Sequence, residues 1–192
     1  MSKVYVVYHS GYGHTKKQAE AVLAGAAGVA GVTATLVAVG DVTEATWAEL
    51  ESADAIVFGS PTYMGGVSAD FKKFADASSK PWFGQKWKNK IAGAFTNSAT
   101  MNGDKGATIS YLITFAMQHG MVYVGTGLMP SNSSKATRND VNYVGGFSGA
   151  LAQSPSDVGS DAGPLPGDLE TARLYGERIA KAAKAFKAAE MA

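Results

Sequence analysis

The chain is predicted to fold as an α/β protein, with five parallel strands in the order 2-1-3-4-5 and helices on both faces. Three observations lead there. Short apolar runs alternate with helical patterns along the chain, the signature of repeated βαβ units. The third run (55–58, AIVF) is continuously apolar, as a strand covered on both faces must be. The segments after the first, third and fourth runs are rich in glycine and small polar residues, which suits loops meeting at the carboxyl edge of a doubly wound sheet.

The elements follow in order. Residues 4–8 (VYVVY) are the first strand, and Ala19, Val22, Leu23 and Ala26 mark one face of the first helix. Residues 32–39 read as the second strand, 44–51 as a short helix and 55–58 as the third strand. Val67, Phe71 and Phe74 share a face of the next helix. Residues 91–95 form the fourth strand, Ile109, Leu112, Ile113 and Ala116 define the helix after it, and 121–124 complete the sheet. The closing helix carries Leu169, Ala172, Gly176, Ile179, Ala183 and Phe186 on one face, with charged residues opposite. A long segment rich in Gly, Ser, Asn, Asp and Pro, at about 125–167, reads as a loop within one 1–192 domain, and a loop of that length is functional or flexible.

Composition removes several classes of function. With 192 residues and 46% hydrophobic content, the chain can bury a core. A net charge of +1 argues against nucleic acid or a membrane surface as partner. There is no cysteine, which excludes disulfides, thiolate nucleophiles and cysteine-based phosphatases, so any redox chemistry belongs to a bound cofactor. The amino terminus enters an apolar strand with no signal pattern, and no run is long enough for a bilayer, so a soluble, cytoplasmic protein is expected. His9 and His14 have no metal-ligand spacing with a nearby carboxylate, and no metal is expected.

Three segments could carry chemistry. In Ser10-Gly11-Tyr12-Gly13-His14-Thr15 the glycines permit close backbone approach, two hydroxyls donate, and the following helix start offers unpaired N–H groups. That combination suits a phosphate monoester, although a capped strand–helix turn would use the same residues. It is neither a dinucleotide fingerprint, lacking the third glycine, nor a Walker loop. In Gly59-Ser60-Pro61-Thr62-Tyr63-Met64-Gly65-Gly66, Tyr63 and Met64 could lie against a flat aromatic ring, or the aromatic could simply cover the core. The third segment, Thr96 with Asn97, Ser98, Ala99, Thr100, Met101, Asn102, Gly103 and Asp104, could bond a ring edge and a polyol chain, or be a solvated helix cap. Trp82, Phe83 and Trp87 form an aromatic cluster suited to a substrate wall, a core or an interface, and His119 stands at a helix end.

Residues 3–15 (KVYVVYHSGYGHT), 58–65 (FGSPTYMG), 119–122 (HGMV) and 169–179 (LETARLYGERI) resemble the WrbA-type NAD(P)H:quinone oxidoreductases and their FMN-reductase relatives, over nearly the whole chain and in order. The resemblance implies a flavodoxin-like fold and FMN as cofactor. It implies that Ser10, Gly11, Tyr12, Gly13, His14 and Thr15 cradle the phosphate. Pro61, Thr62, Tyr63, Met64 and Gly65 would flank the isoalloxazine ring, and Asn97, Ser98, Ala99, Thr100, Met101 and Asn102 its edge and ribityl chain. His119 would approach the flavin across a subunit interface, so that His119 and Tyr63 are the candidate catalytic residues. Tyr12 and Trp82 would contact substrate, namely NADH or NADPH and then a quinone-like acceptor, in a homodimer or homotetramer. The chain departs from the family in Tyr63 and Met64, where arginine and phenylalanine are usual, in a third segment poor in glycine, and in a short 40–53 connection. The alternatives are a flavodoxin-type electron carrier, disfavoured by the near-neutral charge, and an FMN-binding regulatory module. A receiver domain is nearly excluded, because His9-Ser10 and Gly59-Ser60-Pro61 occupy its acidic positions.

Overall fold

The computed structural model describes residues 1–190. It runs β1 (Ser2–Tyr8), α1 (His14–Ala27), β2 (Val32–Ala38), a 3₁₀ turn (Val39–Asp41), α2 (Glu44–Glu51), β3 (Ala55–Tyr63), β4 (Gly66–Val67), α3 (Ala69–Ala77), α4 (Ser79–Phe83), β5 (Ile91–Ser98), α5 (Lys105–Gln118), β6 (Val122–Tyr123), β7 (Ala150–Gln153) and α6 (Pro166–Glu190). The main path through the sheet is β2-β1-β3-β5-β6, all pairs parallel, which is the predicted order once the β4 hairpin strand is set aside.

Each face of the sheet has its own core. On one, Val4, Val6, Val57 and Phe95 pack against Ala19 and Val22 of α1 and Ala172, Tyr175 and Ile179 of α6. The backbones of α1 and α6 meet directly: a Cβ on Gly25 would stand 1.8 Å from the Arg173 carbonyl oxygen, and one on Gly176 1.9 Å from that of Val22. On the other face Phe58, Phe71, Phe74, Trp87 and Phe115 form an interlocked aromatic group. Trp87 is therefore a core residue, whereas Trp82 and Phe83 on α4 are exposed.

Val67 and the fifth strand are two of the departures from expectation. Val67 belongs to the β4 hairpin rather than to the helix, which starts at Ala69 because the Ser68 hydroxyl accepts the Phe71 N–H at 3.3 Å and caps it. The fifth strand is also split. β6 pairs only with Ile91 and Ala92 of β5, and β7, from inside the segment expected to be a loop, takes the same edge further along, from Phe95 to Ser98.

Tyr175 bridges the gap between the two pieces. The Val124 N–H still reaches Ala92, and then the chain turns away. The buried Tyr175 hydroxyl accepts the Ala94 N–H at 3.1 Å and donates to the Val124 carbonyl at 2.5 Å, replacing the ladder bond that the missing strand would have made. Gly93 leaves the room: a Cβ there would come within 2.7 Å of that hydroxyl. Replacing Tyr175 with Phe keeps the ring and strands two backbone groups, so stability should fall by about 1–3 kcal/mol. Urea unfolding of the variant checks this, and an unchanged midpoint would deny the hydroxyl its bridging role.

Candidate functional site

The carboxyl ends of β1, β3 and β5 open into a cleft of about 520 Å³. Ser10, Tyr12, His14, Thr15, Pro61, Thr62, Tyr63, Asn97, Ser98 and Ala99 line it, together with Ser154, Ser156, Val158 and Gly159. The predicted segments thus converge on one cavity.

The first segment is a tight turn. Gly13 has φ 88°, and its N–H donates to the Ser10 hydroxyl at 3.0 Å, so the chain swings directly into α1 at His14. The left-handed conformation explains the glycine. No acidic residue lies in the first turn of α1, leaving its N–H groups and partial positive charge facing the cleft end. His14 is tied across to the Val158 carbonyl by its Nε2 at 3.0 Å, and Ser160 comes within 3.0 Å of where a Gly13 Cβ would stand.

Most of the second segment and the start of the third prove to be strand rather than loop, while residues 99–104 remain bend and turn. β3 continues to Tyr63 and β5 to Ser98, with Ser60 opposite Thr96 and Pro61 opposite Asn97. Proline is tolerated because alternate residues face the same neighbour: Gly59 bonds His9 on the β1 side, and by Pro61 β1 has ended. A two-residue turn then closes the β3–β4 hairpin, with Met64 at φ 47° and Gly65 at φ 80°. The Thr62 hydroxyl lies 2.8 Å from those of Thr96 and Thr108, a buried chain of hydroxyls that fixes the cleft floor to α5.

Tyr12 and Tyr63 form a lip, their rings edge to face with centroids 6.2 Å apart. Tyr12 is 79% exposed and Tyr63 37%. Burial, then the neighbouring Tyr12, raises the Tyr63 pKa, with a backbone hydrogen bond at Gly11 opposing, so the hydroxyl keeps its proton. Gly11 and Gly13 belong to the turn backbone, while Met64, Gly65, Thr100, Met101 and Asn102 are not among the lining residues but directly follow Tyr63 and Ala99, which are.

His119 and Trp82 are not brought to the cleft within the chain. They share a separate hollow, with Ser78, Phe115 and Gln118 among its walls. The His119 ring is buried against Trp87, with centroids 4.2 Å apart, and its Nε2 lies 2.9 Å from the Ser78 hydroxyl. The reason is topological: His119 ends α5 and precedes β6, so it sits at the amino edge of the sheet, opposite the cleft.

Sequence reasoning missed Ser154, Ser156, Val158 and Gly159. The only signal was the length and composition of 125–167. Their placement follows from β7, which delivers the chain to the carboxyl edge: the Ser154 N–H bonds the Ser98 carbonyl at 3.1 Å and the Ser154 hydroxyl donates to Asn97 Oδ1 at 3.0 Å.

The residues fit FMN on observations of this chain. The lining is rich in hydroxyl groups, with the Asn97 amide among them and no carboxylate to repel a phosphate, and it includes the start of α1. Tyr12 and Tyr63 add aromatic surface, and the volume falls in the range of cofactor pockets.

Fold and cleft define a flavodoxin-like protein with a cofactor site at the switch point of the sheet. The chain belongs to the NADPH-dependent FMN reductase family, whose model matches residues 13–135, and FMN is the cofactor of this family. It is 50% identical over 184 residues to a protein of Pseudomonas aeruginosa (strain UCBPP-PA14) named flavodoxin FldP, covering 94% of this chain and 96% of that one. An NAD(P)H dehydrogenase (quinone) of Geobacter sulfurreducens is 36% identical over 204 residues, covering 94% and 97%. The crystal structure of a flavodoxin, WrbA-like protein from Agrobacterium tumefaciens superposes with a TM-score of 0.76 at 48% identity, covering 96% of this chain and 99% of that one. Among the described residues, no helix is long and apolar enough to cross a membrane.

Burial lowers the His119 pKa to about 4. The unfolded chain binds that proton below about pH 6.5 and the folded one only below about 4. Stability should therefore fall as pH drops through this window, by roughly 3 kcal/mol from this residue. Urea midpoints at pH 7 and pH 4.5 test it. In a folded His119→Gln variant this part of the pH dependence should vanish; an identical slope would place the acid sensitivity elsewhere.

Proposed function

We propose that the chain is an FMN-dependent oxidoreductase that passes two electrons from NADH or NADPH to a quinone-like acceptor. One observation carries the reading: the cleft has an exposed aromatic lip, Tyr12 edge to face with Tyr63, on a wall of otherwise mostly small residues, many bearing hydroxyls. Such a lip suits a planar partner that stacks and leaves again. FMN, when bound, supplies the chemistry, taking a hydride equivalent from the nucleotide and returning two electrons to the acceptor.

The chain's residues supply position. Ser10, Thr15 and the α1 amino terminus hold the phosphate, with His14 fixing the 156–160 segment over that end. Pro61 and Thr62 wall the ring, with Met64 and Gly65 turning the hairpin beside it. Asn97, Ser98 and Ala99 serve the ring edge and ribityl chain, with Thr100, Met101 and Asn102 continuing that edge. Tyr63, protonated at neutral pH, is available as a hydrogen-bond donor to an acceptor oxygen. One slot beside Tyr12 serves both partners in turn, so the nucleotide leaves before the acceptor enters.

The places proposed for His119 and Trp82, beside the flavin of a neighbouring copy, require a homodimer or homotetramer. Their sharing one surface hollow supports their travelling together to such an interface. A second reading, a flavodoxin-type carrier, is favoured by the 50% identity to a protein named flavodoxin. Against it stands a net charge of +1, which gives little field for steering a charged redox partner.

An anaerobic assay separates the two. The FMN-loaded protein should lose its flavin absorbance on adding NADH or NADPH and regain it with benzoquinone. Tight FMN binding without bleaching by either nucleotide would leave the carrier reading in its place.

A further inference from the structure

Lys105 is the first residue of α5, and it is almost wholly buried. Both facts work against a lysine. The amino end of a helix carries partial positive charge and favours carboxylates, yet the first turn of α5 has none. Burial of an ammonium group is costly unless it is well bonded. Its bonds go to carbonyls: Nζ donates to Thr100 at 2.5 Å and to Met101 at 3.1 Å. The Ser98 hydroxyl, on the cleft wall, donates to the same Thr100 carbonyl at 3.2 Å. Two consecutive left-handed residues, Gly103 at φ 51° and Asp104 at φ 52°, fold the segment back so that the lysine reaches it.

The charged groups facing this ammonium are Asp168 of α6 and Arg138 of the 125–149 excursion. The Asp168 carboxylate is already engaged, taking two bonds from Arg138 at 3.0 and 2.8 Å and one from the Gln153 N–H at 2.9 Å. One carboxylate thus stands among two cations, leaving a net positive charge behind the third cleft segment.

A trans planar peptide points its C=O and N–H in opposite directions. Holding the Thr100 and Met101 carbonyls inward therefore turns the N–H groups of Met101 and Asn102 away from the ammonium, on a stretch where both residues are exposed.

We propose that Lys105 is a positioning residue for the cofactor: its ammonium sets and polarises the Met101 and Asn102 N–H groups as donors to the electron-rich edge of the flavin ring. Because charge on that edge grows with reduction, donors preorganised there favour the reduced ring over the oxidised one. The inference rests on the FMN reading of the cleft. Burial lowers the Lys105 pKa to about 8, with Asp168 opposing and Arg138 adding to the effect. The ammonium is present below that pH and lost above it, so affinity for an anionic cofactor weakens as pH rises through about 8.

The test is FMN titration of the apoprotein at pH 7 and pH 9, with the flavin midpoint potential at pH 7, for wild type, Lys105→Met and Lys105→Arg. Lys105→Met should bind reduced FMN about tenfold more weakly relative to oxidised FMN, a potential lower by about 30 mV. The wild-type loss of affinity between pH 7 and pH 9 should be absent from this variant. Lys105→Arg, charged at both pH values, should retain pH 7 binding without that loss. If the Met variant fails to fold, the Arg variant carries the pH comparison alone. Uptake of FMN with the same potential and the same pH profile in all three proteins overturns this inference alone. No uptake by the wild type overturns the cofactor reading, and this inference with it.

Discussion

The broken edge of the sheet is the constraint from which the site follows. β5 needs a partner along its outer edge, and the chain supplies one in two pieces, β6 and β7, separated by a long excursion. Such a break leaves an N–H and a C=O unpaired inside the protein, a cost comparable to a lost hydrogen bond for each. Tyr175 meets both with one hydroxyl, which is possible because Gly93 makes room and α6 lies flat on α1 through Gly25 and Gly176. Helix packing on one face thus supports strand pairing at the edge. Strand pairing in turn decides where the chain emerges: β7 ends beside Ser98, so the residues after it reach the cleft.

The same economy explains why the cleft walls are regular structure. β3 and β5 run on past the end of β1 as a polar pair, Ser60 with Thr96 and Pro61 with Asn97. Their backbone bonds continue while their side chains change from apolar to polar. The hydroxyls of Thr62, Thr96 and Thr108 satisfy one another where they are buried, which a half-paired cluster could not do at low cost. A wall built on strands holds side chains more closely in place than a free loop would.

Much of this was legible in the sequence. Apolar runs and helical spacing named every layer, and the first polar segment proved to be the helix-end turn expected of it, because Gly13 and the following helix are local features. The polar ends of β3 and β5 read as loops, since composition reports what a side chain faces and not whether its backbone is paired. Strand β7 was hidden for the opposite reason: its partner Phe95 to Ser98 is distant in sequence, and four residues carry too little pattern to stand out from the surrounding Gly and Ser. Lys105 could not have been found either. A lysine at a helix start reads as a solvated charge, and only the fold-back at Gly103 and Asp104 buries it.

The distribution of charge has a logic of its own. The cleft is lined mainly by hydroxyls, two tyrosine rings, the Asn97 amide, His14 and small apolar residues, with no lysine, arginine or carboxylate, while Lys105, Arg138 and Asp168 stand outside that lining. A charge placed in the cleft would bind the phosphate strongly, but it would also demand a desolvated counter-ion whenever a neutral planar molecule entered. A charge behind the wall acts through peptide dipoles that are already oriented and need no rearrangement when one partner replaces another. It leaves the lip at Tyr12 and Tyr63 free to discriminate by shape and stacking alone. The Arg138–Asp168 pair adds a second use: the two bonds that hold the excursion to the start of α6 also place that charge, and Asp168 takes the Gln153 N–H at the end of β7. The carboxylate that caps the end of β7 is therefore the one that tempers the lysine on its other side.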